Sequence, residues 1–160
     1  MFRIGFGTDI HRLTPGRPLV IGGVTVDSEL GSDGHSDADV LMHAVTDAVL
    51  GALALGDIGS HFPNDEPRWQ NAESTIFLKY AFGLATERGY EIANIDCVVH
   101  LERPKLRTHI DAMRHNIAAA LETDISNISV KAKTGEKVDA IGELRAVRAQ
   151  SVVLLTKSNT

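Results

Sequence analysis

The 160-residue chain reads as a single α+β domain, a mixed β-sheet with helices on one of its faces. Three observations predict this. Strand-like and helix-like segments follow one another without strict alternation, which argues against a doubly wound parallel sheet. Three segments carry apolar residues at helical spacing, beginning near Ser36, Ala72 and Arg107. The run Val152-Val153-Leu154-Leu155 is continuously apolar, as expected of a central strand buried on both faces.

The elements follow in order. Residues 3–8 alternate as a short strand, and Pro15-Gly16 and Pro18 place a turn at 12–18. Leu19–Ile21 and Val24–Val26 flank Gly22-Gly23 and predict a hairpin. Residues 27–35 are polar and glycine-rich, hence loop. Ser36 and Asp39 have capping-box spacing; Val40, Leu41, Ala44, Val45, Ala48, Val49, Ala52 and Leu53 continue a helix to Gly56. Residues 57–71 hold two prolines and read as an ordered, irregular loop. Residues 72–88 predict a second helix, with Ile76, Phe77, Tyr80, Ala81 and Leu84 inward and Gly89 at its end. A strand at 90–101, broken by Pro104, precedes a third helix at 107–121. Strands at 128–134 and about 147–156 close the chain.

Composition narrows the function. Sixteen Lys and Arg stand against 21 Asp and Glu, a formal charge of −5. That balance argues against nucleic acid or an anionic membrane as partner, and it repels a phosphorylated ligand unless a cation intervenes. Cys97 is the only cysteine, so no intrachain disulfide and no Cys-rich zinc site is possible. A reducing, cytoplasmic setting is expected, because the chain opens on a strand pattern without a signal-peptide profile. The apolar stretch Ala48–Leu55 is too short to span a bilayer.

Asp9 and His11 are two apart on an extended segment and share a face, so a carboxylate and an imidazole stand side by side. Alone, this D-x-H is a weak signal, more often that of a turn aspartate beside a solvated histidine. His43 strengthens it. It lies on the first helix with Asp39 and Asp47 one turn either way as candidate orienters. Asp9, His11 and His43 would leave one tetrahedral position open, the pattern of a catalytic zinc site. The segment Gly34-His35-Ser36-Asp37-Ala38-Asp39 opens that helix and suits a phosphate at its N-terminus. Asp57, Asn64, Asp65 and Glu66 crowd one loop, and Lys131, Lys133, Thr134 and Glu136 one strand end. Each of these, alone, would be a solvated loop. No P-loop, G-x-S-x-G elbow or cysteine nucleophile is present.

Taken together, RIGFGTDIHRL, RPLVIGGV, GHSDADVLMHAVTDAVLGALALGDIGSHFP, ERPKL and VKAKTGEKV resemble the 2-C-methyl-D-erythritol 2,4-cyclodiphosphate synthases, enzymes of the non-mevalonate isoprenoid pathway. The resemblance covers nearly the whole chain, 1–160, as a single catalytic domain. It implies cyclisation of 4-diphosphocytidyl-2-C-methyl-D-erythritol 2-phosphate with release of CMP. The alternative is a metal-dependent phosphohydrolase acting on a nucleotide-linked substrate. The resemblance implies Zn²⁺ on Asp9, His11 and His43, and Mg²⁺ or Mn²⁺ on Glu136. It gives His35 and Thr134 the catalytic role of polarising phosphate. Substrate contacts fall on Asp9, His11, His35 and Ser36, then on Asp57, Ile58 and Gly59, then on Phe62, Pro63, Asn64, Asp65 and Glu66. They continue at Leu101, Pro104, Lys105, Leu106 and Arg107, the cytosine pocket, and at Lys133, Thr134, Gly135 and Glu136. A homotrimer with active sites between subunits is implied. The chain departs from the family at Lys133-Thr134-Gly135-Glu136, where many members have T-T-T-E, and at Asn64, where a carboxylate is usual. Ala140 and Glu143 replace an aromatic residue and an arginine. A glutamate there repels an anion and argues against an isoprenoid diphosphate in the central cavity.

Overall fold

Residues 1–63 and 65–158 are described in the computed structural model. The first strand, β1 (Phe2–Pro15), is far longer than its apolar alternation suggested. It passes through the Asp9-x-His11 pair and pairs antiparallel with β4 (Leu30–Asp33), with Arg12 opposite Asp33 and Pro15 opposite Leu30. The predicted turn therefore shrinks to 16–18, and the predicted loop 27–35 contains a strand. Leu-Gly-Ser-Asp carries no period to announce one, and backbone pairing rather than side-chain burial defines it. The hairpin of β2 (Leu19–Ile21) and β3 (Val24–Val26) forms as expected, as a separate two-stranded sheet.

Three more strands complete the main sheet: β5 (Tyr90–His100), β6 (Ile128–Lys133) and β7 (Ala146–Lys157). The order is β4-β1-β7-β5-β6, with only β5 and β6 parallel, so the sheet is mixed as predicted. Helices α1 (Val40–Ala52), α3 (Thr75–Glu87) and α4 (Ile110–Ala120) cover one face; α2 (Ile58–His61) and α5 (Asp139–Gly142) are single turns. The segment 57–71 read as irregular thus includes α2 and a 3₁₀ turn at Pro67–Trp69.

β7 is central, but its apolar run is not buried on both faces. Val153 and Leu155 are fully buried under the helices, whereas Val152 points the other way and is 45% exposed. The whole far face of β1 is similarly bare: Phe2, Ile4, Phe6 and Ile10 are all exposed. The continuous apolar run therefore reports a second face that one chain does not cover.

Helix α1 is capped by Asp39, not by Ser36. Ala38 adopts a left-handed backbone (φ 56°), which turns the chain between the two residues and breaks the expected capping box. The Asp39 carboxylate accepts from Leu41 and Met42 N–H and also from Gly22 and Gly23 N–H, tying the β2–β3 turn to the helix start.

Candidate active site

Two glycines build the site. Along β1 the residues facing the helices are Gly5, Gly7, Asp9 and His11. A Cβ on Gly5 would lie 1.8 Å from Ala48 O, and one on Gly7 2.0 Å from Ala44 O. Only hydrogen fits there, so α1 lies directly on the strand backbone. His43, next to Ala44, is thereby lowered onto the Asp9–His11 pair. His43 Nδ1 and His11 Nε2 each lie 2.9 Å from Asp9 Oδ2 and 3.2 Å from one another.

The outer hydrogen bonds fix the rings. His11 Nδ1 is 3.1 Å from the Asp33 carbonyl, which only accepts, so Nδ1 donates there and Nε2 is the nitrogen turned to Asp9. His43 Nε2 meets Ser74 Oγ at 2.8 Å and Ser36 Oγ at 3.2 Å. The expected orienters are therefore corrected. Asp39 is committed to four backbone N–H groups, and Asp47 accepts the Ile58 N–H at 2.7 Å, holding α2 in place. Ser74 was hidden in the sequence, because it falls inside the predicted helix 72–88, which in the structure begins only at Thr75.

Electrostatics shows what this cluster favours. Burial alone would raise the Asp9 carboxyl, but hydrogen bonds and charge from His11 and His43 overcome it and hold the group well below the usual carboxylate range. Burial works against a charged His43 ring, yet Asp9 outweighs it and the net shift is upward. The cluster thus attracts positive charge. The three donor atoms lie within 4.8 Å of one another, and one carboxylate with two imidazoles is a suitable donor set for Zn²⁺ or a similar divalent cation.

The cluster opens into a cavity of about 300 Å³ lined by Asp9, His11, Gly34, His35, Ser36, His43, Ile58, Phe62, Trp69 and Phe77. Phe62, Trp69 and Phe77 stack edge-on and tilted at 4.5–5.7 Å, a rigid aromatic wall. Trp69 had no signal as a site residue, and Phe77 read only as inward-facing. His35 Nε2 sits 3.1 Å from the Glu66 carbonyl, joining the two loops across the cavity mouth. The Asp57 carboxylate caps α2 through Ser60, which lowers its pKa. Glu66 pairs with exposed Arg68. Gly59 lies within α2, and Pro63 and Asp65 on the loop that follows it; Asn64 is outside the described residues.

A second group forms at the ends of β5 and β6. Leu101 N–H donates to Lys133 O and Gly135 N–H to the Glu102 carboxylate, both at 2.9 Å. The Thr134 hydroxyl donates to Glu136 at 2.9 Å. Pro104 and Lys105 line a groove with Leu144 and Ser28, while Leu106 is buried and Arg107 borders a shallow pocket with Ile110 and Ala132. Glu102 is a further residue with no sequence signal. Register places the two groups. Ile10 faces Arg148, Arg148 faces His100, and His100 faces Lys133, so both groups lie at the same end of the sheet. Three strand spacings separate them, about 14 Å at roughly 4.8 Å each. One chain therefore does not bring Lys133, Thr134, Gly135 and Glu136 to the metal cluster.

A mixed α+β sheet carrying an open Asp-His-His cluster beside an aromatic-walled cavity defines a single-domain protein with a candidate metal site. The YgbB family model matches residues 2–156, and the chain belongs to that family. A relative from Solibacter usitatus named 2-C-methyl-D-erythritol 2,4-cyclodiphosphate synthase is 52% identical over 155 residues, covering 97% of this chain and 98% of its own. Among solved structures, the bifunctional IspDF of Campylobacter jejuni superposes with a TM-score of 0.94 at 41% identity, over 98% of this chain and 42% of that longer one. IspF of Plasmodium falciparum in complex with CDP superposes at 0.88 with 37% identity, over 99% and 97%.

Proposed function

We propose that the chain, as one catalytic domain, cyclises 4-diphosphocytidyl-2-C-methyl-D-erythritol 2-phosphate to 2-C-methyl-D-erythritol 2,4-cyclodiphosphate with release of CMP. The observation that carries this reading is the Asp9–His11–His43 cluster opening on a cavity, in a chain about half identical to synthases along its whole length. A phosphate oxygen of the substrate attacks the β-phosphorus, and the bond to the CMP phosphate breaks. The nucleophile belongs to the substrate, in keeping with a cavity whose lining contains no cysteine.

Asp9, His11 and His43 would hold Zn²⁺, and Glu136 a Mg²⁺ or Mn²⁺. Such cations, when bound, supply Lewis-acid charge neutralisation to phosphate oxygens. The protein's own part is positioning and polarisation. His35 and Ser36 face the cavity and can donate to phosphate oxygens. Phe62, Trp69 and Phe77 exclude water from one side. Thr134 would polarise the phosphate from the second group, with Lys133 beside it. Leu101, Pro104, Lys105, Leu106 and Arg107 would hold cytosine, partly through main chain. Asp57, Ile58, Gly59 and the loop through Glu66 would take the sugar and methylerythritol hydroxyls.

The split of the site supports a homotrimer with active sites between subunits. The bare apolar face of β1 and β7 offers the surface for association, and a neighbouring copy can bring its Glu136 to the metal cluster. No helix is long and apolar enough to cross a membrane among the described residues. We place the protein in the cytoplasm, without nucleic-acid partners.

The test is incubation with the CDP-linked substrate and Mg²⁺, with and without chelator, following CMP. Expected are CMP and cyclic diphosphate in a chelator-sensitive reaction, lost in His43→Ala. Inorganic phosphate as the product, or full activity in His43→Ala, overturns the reading.

A further inference from the structure

Ser74 sits at the N-cap position of α3, yet its side chain caps nothing. It is fully buried, and its hydroxyl is turned instead to Asp37 and His43. We propose that Asp37 and Ser74 are positioning residues for His43, forming a carboxylate–hydroxyl–imidazole relay that decides which ring nitrogen carries the proton. The proposal rests on the reading that His43 is a metal ligand.

The donor count carries the argument. A serine hydroxyl has one proton and two lone pairs. The Asp37 carboxylate only accepts, and it makes a short contact with Ser74 Oγ, so the hydroxyl proton is committed there. Only lone pairs then face His43 Nε2 at 2.8 Å, and Nε2 must be the donor. His43 Nδ1 is the nitrogen left to face Asp9 Oδ2 at 2.9 Å, and with a proton held on Nε2 it can turn its lone pair to a cation that replaces that contact. Without Asp37 the hydroxyl is free to rotate and donate to Nε2. The proton would then sit on Nδ1, hydrogen-bonded to Asp9, where a cation has to bind. Ser36 Oγ, at 3.2 Å from Nε2 and already accepting the Ala38 N–H, cannot set this choice, because its hydroxyl is not held by a carboxylate.

The relay is clamped from both ends. Asp37 also accepts the Ser74 N–H at 3.1 Å, and the Asp37 N–H donates to Ala72 O at 3.0 Å. Asn71 N–H donates to His35 O at 2.8 Å. Residues 35–37 are thus zipped to residues 71–74, and the geometry at Nε2 is set by backbone as well as side chains.

The test compares zinc affinity of the full chain, by competition with a chelating indicator, for wild type, His43→Ala, Ser74→Ala, Asp37→Ala and the Ser74/Asp37 double variant. Ser74→Ala is expected to bind zinc roughly 10–100-fold more weakly than wild type, as loss of an outer hydrogen bond to a ligating histidine typically does. The double variant should be no weaker than Ser74→Ala, since both act through one path. Melting in chelator should fall by only a few degrees for Ser74→Ala, because no helix cap is lost and Asp37 and His43 keep other partners. In the zinc-bound protein, ¹⁵N-edited spectra should show a slowly exchanging Nε2 proton on His43 whose exchange speeds up in Ser74→Ala. Zinc affinity of Ser74→Ala within two-fold of wild type, or additive losses in the double variant, overturns the relay while wild-type binding and its loss in His43→Ala leave the metal reading standing. Absence of zinc binding by the folded wild type overturns both. Should Asp37→Ala not fold, Ser74→Ala decides alone.

Discussion

Gly7→Ala tests the link between packing and site most directly. The new Cβ would lie 2.0 Å from Ala44 O and 2.6 Å from Ala48 N, both backbone atoms of α1 that no rotamer can move aside. Restoring 3.0–3.4 Å requires α1 to retreat by about 1.0–1.4 Å, since carbon contacts much closer than this are strongly repulsive. His43 precedes Ala44 and moves with it. Its 2.9 Å approach to Asp9 would open to roughly 4 Å, where a metal site tolerates only about 0.2 Å in its ligand distances. Overpacking of this kind costs about 1–3 kcal/mol. For a chain of this length that is a Tm lower by about 2–12 °C. The assay is thermal unfolding in chelator, with zinc affinity and CMP release measured alongside. Gly83→Ala is the control, because on α3 a Cβ there meets nothing within 4 Å. It should stabilise by about 0.5–1 kcal/mol, the ordinary gain of alanine over glycine in a helix. A Gly7→Ala protein that melts with wild type and binds zinc within two-fold would refute the claim that the glycines set the metal geometry.

Asp39→Ala should cost about 3 kcal/mol or more in urea unfolding, because it removes a helix cap and strands the Gly22 and Gly23 N–H groups; a loss below about 1 kcal/mol would show that their loops relax freely. Burial pushes the Cys97 thiol from its ordinary 9.0 up to about 12. Between those values the unfolded chain has released a proton that the folded one keeps, so stability falls as pH rises through that window, and Cys97→Ala should flatten the decline; an unchanged alkaline slope in the variant assigns it to other groups. Phe6→Asp, on the bare sheet face, should dissociate the proposed trimer in sedimentation velocity while far-UV circular dichroism is retained, and unaltered sedimentation rejects that face as the interface. Thr134→Ala should lower kcat more than it raises KM for the CDP-linked substrate, and equal kcat removes its role in polarising phosphate.

The metal cluster was legible because it depends on local rules. Asp9 and His11 share a face by the two-residue period of a strand, and His43 sits on a helix with strong apolar spacing. Their meeting was not derivable from spacing; it needed the bare strand backbone at Gly5 and Gly7, whose role shows only once α1 is placed on β1. The helix start was misread because Ser36-x-x-Asp39 satisfies the capping pattern while Ala38 takes a left-handed turn inside it. β4 escaped notice because backbone pairing with Arg12–Pro15 defines it, and such pairing leaves no side-chain period. Ser74 and Trp69 were hidden for opposite reasons. Ser74 falls inside the predicted helix 72–88, where a serine reads as an ordinary helical residue, and a lone tryptophan in a loop has no explanation until the cavity it lines is seen.

The charge of −5 no longer argues against a phosphorylated substrate once each acid near the site is followed to its partner. Asp39 is buried on four N–H donors and Asp47 on the Ile58 N–H. Asp37 is held by Ser74 and the Asp39 N–H, Asp57 by Ser60, Glu66 by Arg68 and Glu102 by the Gly135 N–H. These carboxylates hold loops and helix ends, and their charge is answered where they stand. Asp9 differs: its immediate partners are two ring nitrogens whose other nitrogens are already anchored, to the Asp33 carbonyl and to Ser74. Glu136 has a hydroxyl as its partner and no cation paired with it among the described contacts. Asp9 and Glu136, the acids proposed to take a divalent ion, are thus ones whose charge no backbone N–H or guanidinium answers among the described contacts. A divalent ion at Asp9 reverses the local sign, because its two charges exceed the one carboxylate that faces it.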